Sequence, residues 1–114
     1  MSSMSMAGRT MKRKQFHAYI KKAITDLLRW NRWFVLPIQQ GPFSQPGIAD
    51  LYVAKNGEST WIEVKIPGDE LRPAQREFRD EIEAAGVDYA VLHSSEEAEN
   101  HFRIPTQGRP TVRP

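Results

Sequence analysis

Residues 47–65 read GIADLYVA, KNGE and STWIEVK in succession, and this stretch decides the fold. Two runs rich in β-branched and aromatic residues flank an Asn-Gly step, which is the strongest short-range signal for a β-hairpin. A turn centred on Asn56 and Gly57 places Asp50 opposite Glu63, and directly opposed residues share one face of a sheet. The stretch therefore predicts an antiparallel hairpin with two carboxylates facing each other near its open end.

Lys65 lies two residues beyond Glu63, so it is predicted to share the face that carries Asp50 and Glu63. Opposed like charges destabilise a hairpin unless a cation lies between them. That cation is either Lys65 or a divalent metal ion, while an ordinary solvated ion pair is the plainer interpretation. The alternate residues predict a core on the opposite face, formed by Leu51, Val53, Ile62 and Val64.

The chain has 114 residues and no cysteine, which limits it to one domain and excludes disulfides and thiolate metal sites. It has no apolar run long enough to cross a membrane and no hydrophobic segment of the signal-peptide type at its N-terminus. A cytoplasmic protein without a membrane partner is therefore expected.

Charge is distributed unevenly along the sequence. Residues 1–49 carry a net charge of +7, residues 50–100 carry −8 and residues 101–114 carry +3. Basic ends around an acidic centre fit a nucleic-acid binder with a metal-binding centre. Solvated tails and solvated helix faces produce the same pattern, and charge by itself favours that simpler interpretation.

Composition and periodicity divide the chain into three parts. Residues 1–14 are predicted to be a disordered basic tail, residues 15–100 a folded domain and residues 101–114 an extended tail rich in Pro and Arg. Within the domain, apolar spacing and cap signals predict an αβββαβ order with a final short helix. Besides the hairpin, the predicted elements are a helix over 15–30, a strand over 34–38, a helix from Pro73 to about Gly86, a strand over 88–92 and a short helix after Ser94.

Three motifs carry a resemblance to a known family: Gly47-x-x-Asp50, Glu63-Val64-Lys65 and Pro73-x-Gln75. Together they resemble the PD-(D/E)xK nuclease superfamily, and in detail the small VRR-NUC (virus-type replication-repair nuclease) domains. The resemblance covers roughly residues 16–98. Family members typically read Gly-x-Pro-Asp, so Ala49 replaces the proline, but the carboxylate that does the chemistry is retained.

The resemblance implies an α/β fold of the restriction-endonuclease type, with a mixed sheet flanked by helices. It implies a metal-dependent DNA endonuclease in which Asp50, Glu63, Lys65 and Gln75 are catalytic. Mg²⁺ or Mn²⁺ would be bound by Asp50, Glu63 and the Val64 carbonyl. Because an ammonium group is protonated at neutral pH, electrostatic stabilisation is the expected role of Lys65.

The resemblance also implies a substrate and an assembly. Branched DNA such as a four-way (Holliday) junction is the expected substrate, and a symmetric homodimer is the expected assembly. The alternative function is a non-catalytic DNA-binding module that retains the nuclease fold. The intact Asp50, Glu63, Lys65 and Gln75 argue against this alternative.

One departure from the family concerns the first helix. The family often places a glutamate near the start of this helix as a further metal ligand, whereas this chain has His17 near that position and no acid before Asp26. Either His17 is a ligand, which would suit Mn²⁺ better than Mg²⁺, or a second metal is weak or absent.

Basic residues near the predicted site are candidates for contacts with DNA phosphates. Arginines 72, 76 and 79 share a helix face, where they either bind phosphates or pair with the neighbouring acids. The predicted nucleic-acid-binding residues are Arg9, Lys12, Arg13, Lys14, Lys21, Lys22, Arg72 and Arg76.

Overall fold

A computed structural model describes residues 12–105 of the chain. Within these residues, four strands and three helices follow one another in the predicted αβββαβ order with a short helix at the end, so this prediction is confirmed. In chain order, the elements are α1 (Arg13–Trp30), β1 (Phe34–Pro37), β2 (Leu51–Lys55), β3 (Glu58–Val64), α2 (Pro73–Ala84), β4 (Asp88–Leu92) and α3 (Ser95–Phe102).

The hairpin of β2 and β3 has the predicted register. Tyr52 pairs with Trp61 and Ala54 pairs with Ser59. Asn56 and Gly57 have φ angles of 50° and 82°, and two successive positive angles are what a tight two-residue hairpin turn requires. The Asn-Gly step therefore fixes which residues of the two strands face each other.

The four strands form one mixed sheet in the order β1-β2-β3-β4. The first two neighbouring pairs are antiparallel, and β4 runs parallel to β3. The parallel pair needs a crossover connection, which α2 supplies. This is the predicted mixed α/β sheet of the restriction-endonuclease type.

Helices cover both faces of the sheet. The apolar side of α1 packs on one face of the sheet, together with α3. Ile24 and Leu28 of α1 are fully buried there. That face also holds the four predicted core residues, Leu51, Val53, Ile62 and Val64, all with no exposed surface. On the opposite face α2 packs on a smaller cluster that contains Ala49, Phe78 and Tyr89.

Local signals position the ends of the later elements. Pro73 occupies the first turn of α2, and Gly86 follows the helix with a φ of 83°, the left-handed conformation that commonly ends a helix. The Ser94 hydroxyl accepts a hydrogen bond of 3.1 Å from the Glu97 amide and so caps α3. The observed strand β4 begins and ends at the predicted residues, Asp88 and Leu92.

Helices α1 and α3 each extend two residues beyond the bounds of 15–100 predicted for the folded domain. Arg13 and Lys14 belong to α1, because the Gln15 side chain accepts a hydrogen bond of 3.1 Å from the Lys12 amide and completes the first turn. At the other end, α3 continues to Phe102, whose ring packs edge-on against Trp33 at 4.7 Å. The remaining tail predictions, including the one for Arg9, lie outside the described residues.

The first strand ends at Pro37, one residue before the prediction, although the Ile38 amide still donates a hydrogen bond of 2.9 Å to the Asp50 carbonyl. Between residues 12 and 105, the chain has no helix of the length and hydrophobicity that crossing a membrane would require.

Candidate active site

The predicted site residues converge where the hairpin opens. Asp50 directly precedes β2, Glu63 and Lys65 lie at the end of β3, and Gln75 lies in the first turn of α2. All four side chains are buried. They line a cavity of about 300 Å³, which is also lined by His17 and Val64.

Backbone and side-chain hydrogen bonds fix the Asp50 carboxylate. Its Oδ2 accepts a hydrogen bond of 2.8 Å from the Val64 amide, so the aspartate is tied to the strand that carries Glu63. Its Oδ1 lies 3.4 Å from the Gln40 side-chain amide, which also donates to the Ile48 carbonyl at 3.2 Å. The carboxylate is thereby oriented before any ligand binds.

The side chains of Gln75 and Lys65 both lie close to the same oxygen of Glu63, Oε2. The Gln75 amide donates a hydrogen bond of 3.1 Å to Oε2, and Lys65 Nζ lies 3.8 Å from the same atom. The Gln75 carbonyl oxygen accepts a hydrogen bond of 2.8 Å from the Arg72 amide, which leaves its NH₂ group directed at Glu63. The start of α2 therefore sets the direction of the Gln75 side chain.

The second oxygen of Glu63, Oε1, is buried and receives no hydrogen bond from a donor within residues 12–105. The Asp50 carboxylate lines the same cavity as Glu63. Burial, and then the charge of Asp50, raise the pKa of Glu63 to about 8, although Lys65 and Arg72 act in the opposite direction. In the metal-free protein Glu63 therefore keeps its proton at neutral pH, because Lys65 and Arg72 do not offset burial and the charge of Asp50.

His17 lines the same cavity as the two carboxylates and lies beside Asp50. Its Nε2 is 3.1 Å from the Val64 carbonyl oxygen and 3.5 Å from Asp50 Oδ2. A carbonyl only accepts hydrogen bonds, so Nε2 carries the proton in this arrangement. The same ring nitrogen therefore faces both oxygens that the sequence predicted as metal ligands.

The donor set has the chemistry of a divalent cation site. Two carboxylates, one backbone carbonyl and one imidazole line the same cavity, and the buried Oε1 of Glu63 has no hydrogen-bond partner within residues 12–105. Within residues 12–105, no group of three or more His, Cys, Asp or Glu side chains forms a complete metal site. A cation here would therefore take the Val64 carbonyl and water molecules as ligands, which suits Mg²⁺ in particular.

Gly47 brings the loop before Asp50 against α2. Its φ is 75°, and a Cβ atom added at this position would lie 2.1 Å from the Ala74 carbonyl oxygen. Any larger residue would push the loop away from the turn that holds Gln75. Glycine is therefore required here both for its backbone conformation and for close approach.

The predicted DNA-binding residues separate into two groups. Arg13, Lys14 and Arg72 line the same cavity as Asp50 and Glu63, and Lys21 lines an adjacent depression that also contains Asp50. The others lie away from the cavity: Lys12 is exposed at the start of α1, Lys22 pairs with Asp26 at 2.7 Å and Arg76 donates to the Leu71 carbonyl at 2.6 Å. Arg79 pairs with Asp80 at 3.1 Å.

The structure adds two residues that the sequence-based site omits. Gln40 contacts Asp50, and Asp69 lines the cavity and pairs with Arg13. The hydrogen bond from Arg13 lowers the pKa of Asp69 below its ordinary value. Nothing in the sequence distinguishes Gln40 from the neighbouring glutamines Gln39 and Gln45, and no motif marks Asp69 as a site residue.

A four-stranded mixed sheet in this order, with an Asp and a Glu-x-Lys set at the end of its hairpin, defines a nuclease of the restriction-endonuclease-like class. The chain matches the family model of the VRR-NUC domain over residues 17–96. It therefore belongs to the VRR-NUC family, and its function is nuclease-type processing of DNA. Nucleases of this kind typically use divalent metals. A search of curated proteins found no significant match.

Proposed function

We propose that this domain is a metal-dependent DNA endonuclease that hydrolyses phosphodiester bonds in branched DNA. The observation that supports this most strongly is the burial of two facing carboxylates, Asp50 and Glu63, in one cavity with Lys65. Such a pair is costly in a metal-free protein and becomes favourable once a divalent cation binds. A structural role for these residues does not account for that arrangement.

Asp50, Glu63 and the Val64 carbonyl would hold Mg²⁺ or Mn²⁺. His17 Nε2 would be a further ligand once its proton has moved to Nδ1, which ends its hydrogen bond to the Val64 carbonyl. When bound, the cation activates a water molecule and neutralises charge on the scissile phosphate. The distance of 3.1 Å between His17 Nε2 and the Val64 oxygen supports the shared site, since both atoms face the same small volume. An imidazole ligand favours Mn²⁺ over Mg²⁺.

Lys65 and Gln75 act on the substrate side of Glu63. The Lys65 ammonium stabilises the negative charge that grows on the phosphate in the transition state. Gln75 holds Glu63 through a hydrogen bond of 3.1 Å and is placed to hydrogen-bond the attacking water or a phosphate oxygen. Arg13, Lys14 and Arg72 around the cavity position the DNA backbone through its phosphates.

Four-way junctions are the proposed substrate, and a two-fold homodimer is the proposed assembly. A two-fold dimer presents two equivalent sites to two strands, which suits paired nicks across a junction. The proposed location is cytoplasmic, in keeping with the sequence-based expectation.

The decisive experiment compares four DNAs of shared sequence: a four-way junction, a flap, a nicked duplex and a single strand. Each is incubated with the full chain in Mg²⁺, in Mn²⁺ and in EDTA. We expect the junction to be cleaved fastest, cleavage in both metals and none in EDTA. Equal rates on all four DNAs would refute the substrate, and binding without cleavage in either metal would favour the non-catalytic module.

A further inference from the structure

Phe43 presents a phenyl ring to solvent in the loop that precedes Asp50. Its exposure is 99%, whereas the next most exposed large apolar residue within residues 12–105, Tyr19, has an exposure of 64%. The ring therefore gains nothing from the core, because an apolar side chain stabilises a fold only when it leaves water. One exposed apolar residue is ordinary by itself, and what distinguishes Phe43 is the loop that holds it.

A tight turn fixes the position of Phe43. The Ser44 amide donates a hydrogen bond of 3.1 Å to the Gly41 carbonyl, which closes a β-turn with Pro42 and Phe43 at its centre. The Ser44 hydroxyl donates to the same carbonyl at 2.8 Å and accepts from the Gly41 amide at 3.1 Å. Proline at this place in a turn sets the backbone angle in advance. The ring is therefore held at the tip of a preorganised turn, which lowers the entropy lost on binding.

The loop is anchored on both sides of this turn. Before it, the Gln40 side-chain amide donates to the Ile48 carbonyl at 3.2 Å and lies 3.4 Å from Asp50 Oδ1. After it, Gly47 approaches the Ala74 carbonyl so closely that a Cβ atom would not fit. The segment that carries the ring is thus fastened to a carboxylate of the site and to the first turn of α2.

Phe43 lies within reach of DNA that occupies the cavity. It follows Gln40 by three positions, and three residues span at most roughly 11 Å between Cα atoms. That length corresponds to roughly three base steps at a rise of about 3.4 Å per step. Gln40 and Lys21 line the depression beside Asp50, so a cation that can contact a phosphate lies near the base of the loop.

The chemistry of the ring selects its partner. A phenyl group has no charge and no hydrogen-bonding atom, so it recognises neither a phosphate nor the edge of a base, but it stacks on the face of any base. The neighbouring cavity is lined by Arg13, Lys14 and Arg72, which favours a polyanion over a protein as the partner. In an intact duplex both faces of each base are covered by its neighbours, whereas a branch point leaves base faces uncovered.

We infer that Phe43 stacks on an uncovered base at the branch point of a DNA whose phosphate lies at Asp50 and Glu63. The contact raises the affinity for branched DNA over intact duplex and so determines specificity. This inference rests on the proposed function and names the residue that sets its preference for branched DNA.

The test measures the affinity of the full chain for a four-way junction and for an intact duplex of the same sequence, by fluorescence anisotropy in EDTA. Phe43→Ala removes the ring, Phe43→Leu keeps an apolar side chain without a ring, and Phe43→Trp restores an aromatic ring. The matched control is Trp30→Ala, because Trp30 is 60% exposed but lies at the opposite end of α1 from His17. Thermal melting verifies that all five proteins are folded.

We expect Phe43→Ala and Phe43→Leu to bind the junction roughly fivefold or more weakly than wild type, while Phe43→Trp and Trp30→Ala bind it like wild type. Affinity for the duplex should be the same in all five proteins. Unchanged junction binding by Phe43→Ala, an equal loss on junction and duplex, or full activity of Phe43→Leu would each overturn the inference. A changed oligomeric state of Phe43→Ala in sedimentation would identify a contact between protein chains and also overturn it.

A second readout reports stacking directly. The fluorescence of 2-aminopurine depends on its stacking, so this base is placed at the branch point and, in a second junction, within one arm. We expect wild type and Phe43→Trp to change the signal at the branch point only, and Phe43→Ala to leave both signals unchanged. A response at the branch point that persists in Phe43→Ala would overturn the inference.

These binding measurements require no cleavage, so two failures can be told apart. A wild type that cuts no DNA in Mg²⁺ but loses its junction preference in Phe43→Ala would refute the endonuclease and support the stacking contact. A wild type that cuts the junction while Phe43→Ala binds it unchanged would refute the stacking contact alone.

Discussion

Replacing Glu63 by Gln should stabilise the metal-free protein and remove most of its loss of stability with rising pH. The pKa of Glu63 is raised from 4.5 to about 8 in the folded chain, chiefly by burial and then by Asp50. Between these two values, the folded state holds a proton that the unfolded state releases. The free energy of unfolding therefore falls as pH rises, and this fall ends once the pH exceeds the folded pKa.

The size of the effect follows from the same two values. Each pH unit in this window changes the stability by about 1.4 kcal/mol at most. From pH 4.5 to pH 7, Glu63 alone should therefore cost the metal-free protein roughly 3 kcal/mol. A glutamine has nearly the same shape and does not titrate, so the difference between Glu63→Gln and wild type should grow by about this amount across the window.

The assay is urea unfolding in EDTA at several pH values between about 4.5 and 8. Glu58→Gln is the matched control, since Glu58 is an exposed glutamate at the start of the same strand. We expect the control to follow the pH dependence of wild type, while Glu63→Gln diverges from it. If the free energy of unfolding changed with pH in the same way for all three proteins, the pKa of Glu63 would not be raised in the folded state. That result would refute the reasoning.

Three further predictions concern other residues in or beside the cavity. Lys65→Ala should lower turnover by roughly 10²-fold or more with little effect on DNA or metal affinity, because Lys65 acts on the transition state; loss of metal binding in calorimetry would make it a structural counter-ion instead. Gly47→Ala should destabilise the fold more than Gly86→Ala in thermal melting, since both have positive φ angles but only Gly47 meets the Ala74 carbonyl. His17→Ala should weaken Mn²⁺ activation more than Mg²⁺ activation, and overlapping metal titrations with wild type would remove His17 from the site.

The hairpin and its site were predictable because short-range rules fix them. Asn56 and Gly57 set the turn, the turn sets the register, and the register brings Asp50 toward Glu63. Pro73 in the first turn of α2 and the serine cap of α3 mark helix starts in the same local way. In each case, the signal lies within a few residues of the feature that it determines.

The remaining features depend on contacts between residues distant in sequence. The hydrogen bond from Gln40 to Asp50 depends on the path of a loop, and the pairing of Arg13 with Asp69 joins residues 56 positions apart. The exposure of Phe34 depends on how far α2 extends across the sheet, which apolar spacing does not encode. The burial of Glu63, and with it the raised pKa, likewise required the folded structure.

The central claim is that Asp50 and Glu63 bind the cation that enables the protein to cut DNA. The most direct test compares junction cleavage in Mg²⁺ by wild type, Asp50→Asn and Asp26→Asn. Asp26 is an exposed helix residue paired with Lys22, so its variant carries the same chemical change away from the site. We predict at least about 10³-fold slower cleavage for Asp50→Asn and an unchanged rate for Asp26→Asn, whereas substantial cleavage by Asp50→Asn would contradict the account.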